Sequence, residues 1–249
     1  MTDIKSRKLS FTELFRAAGG MYKKYFPFLM LITAAFYLPL IAVTAFIPYP
    51  PTALADYLTA LQAGDTASAA GSLATLAKYD AGCLAVSVVF QPFATAGVTY
   101  LALCAVENKP ADMPGLLAAS LERWWKLLFT NILFYALLLV SSPLIVLPLY
   151  FGVTFYFAVR VAAVTDKRGF SALKESAVIV RGRFLRTLVF IAVVMILNFC
   201  VNLFITGIIP IAQDAVVAAV VVSVVAKAVC VFFDAVLALW FWNMSYTRG

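Results

Sequence analysis

Two ionisable residues, Lys227 and Asp234, lie inside an otherwise apolar run from Ala215 to Tyr246. Both share one helical face with Ser223 and Cys230, since the four residues recur at steps of four, three and four. Charged groups inside a membrane span are costly, and they usually face protein or a wet cavity rather than lipid. We therefore predict that this face looks into the protein and that the other spans pack around it.

Lys227 and Asp234 are seven residues apart, about 10.5 Å along a helix axis, so each needs a partner elsewhere. Asp234 could meet Arg160 or a pair of asparagines, and Lys227 could meet Gln91 or backbone carbonyls. The candidate binding residues are Lys227, Asp234, Arg160, Gln91, Asn198 and Asn202. The functional hypothesis is a polar cavity that binds a headgroup, an ion or a proton.

The alternative is purely structural. In that case Lys227 extends to the outer interface, and Asp234 is a neutral or paired packing residue. The amide and hydroxyl side chains would then form interhelical hydrogen bonds worth about 0.6 kcal/mol each.

Composition indicates the class of protein that carries these residues. The chain has 249 residues, of which 64% are hydrophobic and 12% are charged. Soluble domains carry about a quarter charged residues, so this is a polytopic membrane protein. The length allows about six helical spans of about 20 residues, and no long polar segment remains for a soluble catalytic domain. We predict a single all-α membrane helix bundle over residues 1–249.

Several classes of protein are disfavoured by what the sequence lacks. There is no histidine, and the four cysteines are not at metal-ligand or redox spacing. We interpret the cysteines as small apolar side chains. The sequence contains no GxSxG, HExxH or P-loop motif and no clustered carboxylate pair. We expect no enzyme activity, cofactor or metal. We expect no nucleic-acid binding either, because the basic residues flank hydrophobic spans.

Hydropathy and turn residues place the spans. The predicted spans are 26–47, 81–106, 127–147, 149–165, 184–205 and 215–246. We interpret the first as a retained span rather than a signal peptide, because the polar segment before it and its apolar run are both long for one. Pro39 should kink this span, and Pro92 should free a backbone carbonyl in the second. One or two short surface helices are expected in the connection 52–79.

Three basic segments precede spans and have amphipathic patterns: 11–25, 113–126 and 170–183. We predict interfacial helices, with Leu14, Phe15, Met21 and Tyr22 of the first available to the membrane. The candidate contacts for anionic lipid headgroups are Lys23, Lys24, Arg123, Lys126, Arg181 and Arg183. Each such cation near the surface is worth about 1 kcal/mol. The alternative is that these residues only set topology.

The distribution of basic residues predicts the topology. Fifteen Lys and Arg residues lie in the N-terminal segment and in the connections 107–126 and 166–186, against Lys78 alone in the alternate connections. The positive-inside rule then places both termini in the cytoplasm of a plasma (inner) membrane protein.

The three basic segments also align with one another without gaps. The alignment superposes Leu14 with Leu116 and Leu173, and Lys24 with Lys126 and Arg183. It suggests three units of one interfacial helix and two spans: 8–106, 112–165 and 168–246. Repeated units are common in transport folds. The alternative is that any basic amphipathic helix before a span has this pattern.

One part of the chain resembles a known family. The segments SSPLIVLPLYFGVTFYFAVRVAAV and FSALKESAVIVRGRFLRTLVF resemble bacterial membrane domains that occur alone or fused to glycerophosphoryl diester phosphodiesterases. They are similar as well to the YciC-like and DUF975-like membrane proteins. The resemblance covers most of the chain through its order of hydropathy. It implies a six-span bacterial inner-membrane protein concerned with lipids or the envelope, and it carries over no catalytic residue.

Two functional hypotheses follow. The first is a non-catalytic membrane protein that handles lipid or a small amphiphile, in transport or envelope maintenance. The second is a scaffold or regulatory subunit that binds another membrane protein, in which Lys227 and Asp234 find their partners in trans. A polar cavity at these two residues favours the first hypothesis, and a closed helix interface favours the second.

Overall fold

The computed structural model describes the backbone of residues 3–39, 42, 50, 52–144, 146–208 and 216–247. Its described secondary structure is entirely helical, which confirms the all-α class. After a four-residue helix at Asp3–Ser6, the α-helices are α1 (Phe11–Lys24), α2 (Phe26–Tyr37), α3 (Ala53–Gln62), α4 (Thr66–Glu107), α5 (Met113–Leu117), α6 (Trp124–Ser141), α7 (Val146–Thr154), α8 (Ala158–Val164), α9 (Phe170–Val180), α10 (Phe184–Ile208) and α11 (Val216–Tyr246).

Five segments of the described chain are long and apolar enough to cross a membrane, as expected of a multi-pass membrane protein. They are Thr66–Glu107, Trp124–Ser141, Val146–Val164, Phe184–Ile205 and Val224–Tyr246. The first predicted span, 26–47, is described as the shorter apolar helix α2, and residues 40, 41 and 43–47 lie outside the described chain. The count of six spans therefore stays a prediction.

Helix α4 is longer than the sequence analysis predicts. It runs unbroken from Thr66 through the predicted boundary at residue 81 to Glu107. Asp65 caps its start by accepting hydrogen bonds from two backbone N–H groups, and Asn108 ends it in the left-handed conformation with φ of 54°. At 1.5 Å per residue the helix is about 63 Å long, roughly twice the hydrocarbon thickness of a bilayer. Helix α3 packs beside it as the one short helix of the preceding connection.

Helix α1 begins at a capping box. Glu13 N–H donates to Ser10 Oγ, and Ser10 N–H donates to Glu13 Oε2 at 2.8 Å. The Ser10 N–H and the Arg7 guanidinium lower the pKa of Glu13 to about 2. The carboxylate of Glu13 therefore stays ionised down to acidic pH and keeps the cap formed.

Of the four α1 residues predicted to be available to the membrane, Leu14 and Met21 are covered by protein instead, so the prediction is wrong for these two. Leu14 and Met21 are fully buried. The rings of Phe15 and Tyr22 both pack edge-on against Phe232 of α11. The apolar pattern of an amphipathic helix does not distinguish lipid from a neighbouring helix as the surface that covers it.

The other two basic segments also differ from prediction. The segment 113–126 is helical as α5 and a π-helical turn, Ala118–Glu122, and then breaks before Trp124. Helix α9 ends at Val180, and Gly182 with φ of +76° forms the turn into α10. In the second and third predicted repeat units a short helix and a break precede a longer helix, whereas in the first unit the 14-residue helix α1 precedes α2, which is described over Phe26–Tyr37. The repeat itself stays a prediction.

The fourth predicted span, 149–165, is interrupted. Helices α7 and α8 are separated by a turn at Phe155–Phe157. Ser176 of α9 stabilises this turn, because its Oγ donates to Thr154 O at 2.8 Å and accepts from Phe157 N–H at 3.2 Å. The interruption is therefore hydrogen-bonded inside the bundle, where an unpaired backbone group would be costly.

Asn243 holds the N-terminal segment against the end of α11. Its Nδ2 donates to Ile4 O and Arg7 O, both at 2.8 Å, and its Oδ1 accepts from Leu9 N–H at 3.3 Å. The side chain is 1% exposed. The first and last described stretches of the chain, around Ile4–Leu9 and Asn243, consequently lie at the same end of the bundle, which we call the terminal end.

We predict that Asn243→Leu releases the N-terminal segment. The substitution leaves two backbone carbonyls and one N–H without their partner, which should cost about 1–3 kcal/mol. Thermal unfolding in detergent should shift down, and trypsin should cleave faster after Lys5, Arg7 or Lys8. Ser245→Ala is the control, because Ser245 donates to Phe241 O within its own helix. Unchanged cleavage in Asn243→Leu would contradict this role.

Candidate functional site

An ion pair between Arg160 and Asp234 lies in the interior of the bundle. Arg160 Nη2 is 3.1 Å from Asp234 Oδ1, and the two side chains are 3% and 17% exposed. Arg160 is among the partners that the sequence analysis named for Asp234. Arg160 enters the site from α8, directly after the turn that Ser176 stabilises.

Further polar groups surround this pair. Arg160 Nη1 donates to Thr99 Oγ1 at 3.2 Å, and the Thr99 hydroxyl donates to Thr95 O at 2.6 Å. Tyr37 OH donates to Asp234 Oδ2 at 3.4 Å. A buried charge pair is tolerated only when its remaining hydrogen-bonding positions are filled. The network therefore joins α2, α4, α8 and α11 around one carboxylate.

Tyr37 was missed by the sequence analysis. It ends a π-helical turn, Thr33–Tyr37, whose last carbonyl-to-amide bond runs from Leu38 N–H to Thr33 O. Such a turn inserts one extra residue into a helix and changes the direction of the side chains that follow, often at functional sites. A tyrosine two residues before Pro39 in an apolar helix is the signal that could have indicated it.

A cavity of about 260 Å³ lies beside the ion pair. Its polar lining residues are Tyr37, Ser87, Gln91, Tyr156, Asn198, Lys227, Cys230 and Asp234. Lys227 is the fourth residue and Asp234 the eleventh of the apolar segment Val224–Tyr246. The cavity therefore extends from the middle of this segment towards Val224, away from the terminal end. We call this space the Lys227 cavity.

Lys227 and Asp234 occupy different parts of this cavity. Asp234 is engaged by Arg160, whereas Lys227 Nζ lies 5.8 Å from the centroid of the Tyr37 ring. A cation at this distance is attracted to the ring face. In the described part of the chain, the ion pairs include none between Lys227 and a carboxylate.

The two candidate asparagines form a small cluster with a cysteine. Asn202 Nδ2 donates to Asn198 Oδ1 at 3.1 Å, and Cys230 Sγ donates to the same oxygen at 3.2 Å. Asn198 and Cys230 line the Lys227 cavity, but Asn202 does not. The sequence analysis interpreted Cys230 as an apolar filler, whereas its thiol is part of the polar wall.

Pro92 frees the carbonyl of Val88, as predicted, and the structure shows what binds it. Asn131 Nδ2 of α6 donates to Val88 O at 2.8 Å. Proline has no N–H to complete the helical bond with that carbonyl. Pro92, Asn131 and Arg160 are among the residues that line a second, smaller cavity of about 80 Å³, which shares Gln91, Tyr156 and Asp234 with the first.

Three of the six predicted headgroup cations have partners within the protein. Arg123 donates to Ala163 O and Thr165 O at the end of α8, and Lys126 pairs with Asp166 at 3.0 Å. Arg183 donates to Met244 O and Thr247 at the end of α11. Lysine and arginine are favourable at helix C-termini for this reason. The remaining three, Lys23, Lys24 and Arg181, are exposed.

Within the described residues, no group of three or more His, Cys, Asp or Glu side chains is placed to hold a metal ion. Comparison of the chain with protein-family models, with curated proteins and with solved structures finds no match. The family resemblance stated above therefore remains a prediction from the sequence pattern.

We predict that the Arg160–Asp234 pair is needed for stability as a unit. Arg160→Met alone leaves a buried carboxylate without its cation, and it should cost about 3–5 kcal/mol. The double variant Arg160→Met/Asp234→Leu removes both charges and should recover much of that loss. Thermal unfolding in detergent of the wild type, Arg160→Met, Asp234→Leu and the double variant measures the difference. A double variant as unstable as the sum of the two single variants would contradict the prediction.

We also predict that Asn131 and Pro92 are energetically coupled. Asn131→Leu leaves Val88 O unpaired and should destabilise by about 0.6–1.7 kcal/mol, the range of such bonds in membrane helices. Pro92→Ala supplies an N–H for the same carbonyl, so Asn131→Leu should cost less in that background. A double-mutant cycle on unfolding free energies measures the coupling. If Asn131→Leu destabilises the wild type and the Pro92→Ala variant equally, Asn131 and Pro92 are not coupled and the prediction is wrong.

Proposed function

We propose that this protein handles a lipid or a small amphiphile without catalysis, by accommodating its polar head in the Lys227 cavity. The observation that carries the proposal is the cavity itself. Lys227 and Asp234 border an open space lined by polar groups from several helices, rather than a closed helix interface. Intramembrane ionisable residues that line a cavity are typical of binding sites and substrate pathways.

The charge of the cavity favours an anionic head. Arg160 compensates Asp234 at 3.1 Å, which leaves the ammonium group of Lys227 as the uncompensated charge among the described lining residues. The asparagine, glutamine, tyrosine and serine groups around it supply hydrogen bonds to oxygen atoms. A phosphate or carboxylate at the head of an amphiphile matches this arrangement.

A scaffold remains the alternative. It is favoured by Leu54, Leu58 and Leu61, which lie at steps of four and three along α3 and are each at least 50% exposed. Against it, Asp234 has its partner in the same chain, whereas the scaffold hypothesis expects that partner in trans.

The setting we propose is a bacterial inner membrane, with both termini in the cytoplasm. It follows from the excess of Lys and Arg in the N-terminal segment and in the connections 107–126 and 166–186. A role in transport or envelope maintenance fits this setting and the family resemblance.

We predict that Lys227→Gln abolishes selective retention of an anionic amphiphile while leaving the fold intact. The measurement is mass spectrometry of lipids and proteins that stay bound after gentle solubilisation, together with thermal unfolding. Lys78→Gln is the control, because it removes the same charge from an exposed position on α4.

One lipid class enriched on the wild type and on Lys78→Gln, but lost from Lys227→Gln, would support lipid handling. A stoichiometric partner protein without a selective lipid would favour the scaffold. If lipids are unchanged in all three proteins, the Lys227 cavity is not a lipid site and the proposal fails.

A further inference from the structure

A third cavity, of about 380 Å³, lies between α7, α9 and the start of α10, and it shares no lining residue with the Lys227 cavity. Among the residues that line it are Tyr150, Thr154, Lys174, Val178, Arg181 and Phe184. Two of these residues are cations, and the described lining contains no acidic residue. We call it the Lys174 groove.

The two cations of the groove are available to an anion. Lys174 and Arg181 are seven residues apart, which places them on one side of α9 and of the turn that follows it. Both side chains are exposed, and neither is in an ion pair with another described residue. The nearest acidic neighbour in sequence, Glu175, pairs with Lys167 at 2.6 Å.

The walls of the groove are apolar. The rings of Tyr150 and Phe184 are stacked with their centroids 5.5 Å apart, and Val178 is 47% exposed. Gly182, at the turn, has open space where a side chain would stand. The groove thus combines two cations with an aromatic and aliphatic surface.

The position of the groove also matters. Arg181 and Gly182 directly precede the apolar segment Phe184–Ile205. Residues that directly precede a span lie at the level of the lipid headgroups, where basic and aromatic side chains act as anchors. A phospholipid offers the complementary chemistry at this level: a phosphate for the cations and the start of an acyl chain for the rings.

We infer that the Lys174 groove is a binding site for one anionic phospholipid, with its phosphate between Lys174 and Arg181 and its acyl chain against Tyr150, Val178 and Phe184. This site is separate from the Lys227 cavity and does not depend on the function proposed for it.

The test counts bound lipids on the full-length protein by native mass spectrometry, after delipidation and titration with phosphatidylglycerol or phosphatidylcholine. Lys174→Gln/Arg181→Gln should weaken the tightest phosphatidylglycerol site at least tenfold. The matched control is Lys8→Gln/Arg168→Gln, which removes two exposed cations outside the groove and should leave that site unchanged. Val178→Trp fills the groove while keeping both charges, and it should also remove the site.

Several outcomes would overturn the inference. Equal losses in the two double variants would indicate diffuse electrostatic attraction instead of a site. Retention of the lipid by Val178→Trp would exclude the groove. If phosphatidylcholine binds as tightly as phosphatidylglycerol, the net charge of the lipid does not select it. If millimolar inorganic phosphate displaces the lipid, the groove is a site for soluble anions. Lys227→Gln should not affect this lipid, so the two proposals fail separately.

Discussion

The ion pair between Arg160 and Asp234 is the contact at which four helices of the bundle meet. Removing two charges from water costs several kcal/mol per ion, so a buried pair persists only where other groups complete its hydrogen bonds. Thr99 and Tyr37 do this, from α4 and α2. The pair therefore constrains four helices at once. Arg160 reaches this network from the first turn of α8, directly after the interruption between α7 and α8.

The pairing of Asp234 within the chain determines the character of the neighbouring cavity. A carboxylate facing Lys227 directly would neutralise that side chain and leave a closed polar contact. Since Arg160, which is outside the cavity lining, compensates Asp234, Lys227 faces a cavity that includes hydrogen-bonding groups: the Asn198–Cys230 contact, Gln91, Ser87 and two tyrosines. The two charged residues of α11 thus differ in their surroundings, since Asp234 is paired with Arg160 from another helix whereas Lys227 lines the cavity near Tyr37.

Composition and periodicity suffice for the all-α, multi-pass class and for the pairing of Asp234 with Arg160, because charges are rare in apolar helices and their partners are few. Pro92 alone also predicts a freed carbonyl, that of Val88, because proline has no N–H to donate to the residue four positions earlier. Sequence reasoning misses Tyr37, Ser176 and Cys230, because a π-helical turn, a hydrogen-bonded helix break and a thiol donor arise from tertiary contacts. It also mistakes the surface that covers α1, since an apolar helical face packs equally well against lipid or against α11.

The most direct measurement is the reactivity of Cys230, which lines the Lys227 cavity. In a variant with Cys83, Cys104 and Cys200 replaced by alanine, the rates of modification by anionic and cationic methanethiosulfonate reagents of similar size are compared. An open cavity dominated by the Lys227 charge predicts that the anionic reagent reacts several-fold faster, and that Lys227→Gln removes the preference. A thiol that is inert to both reagents, or one that favours the cation, would contradict the account.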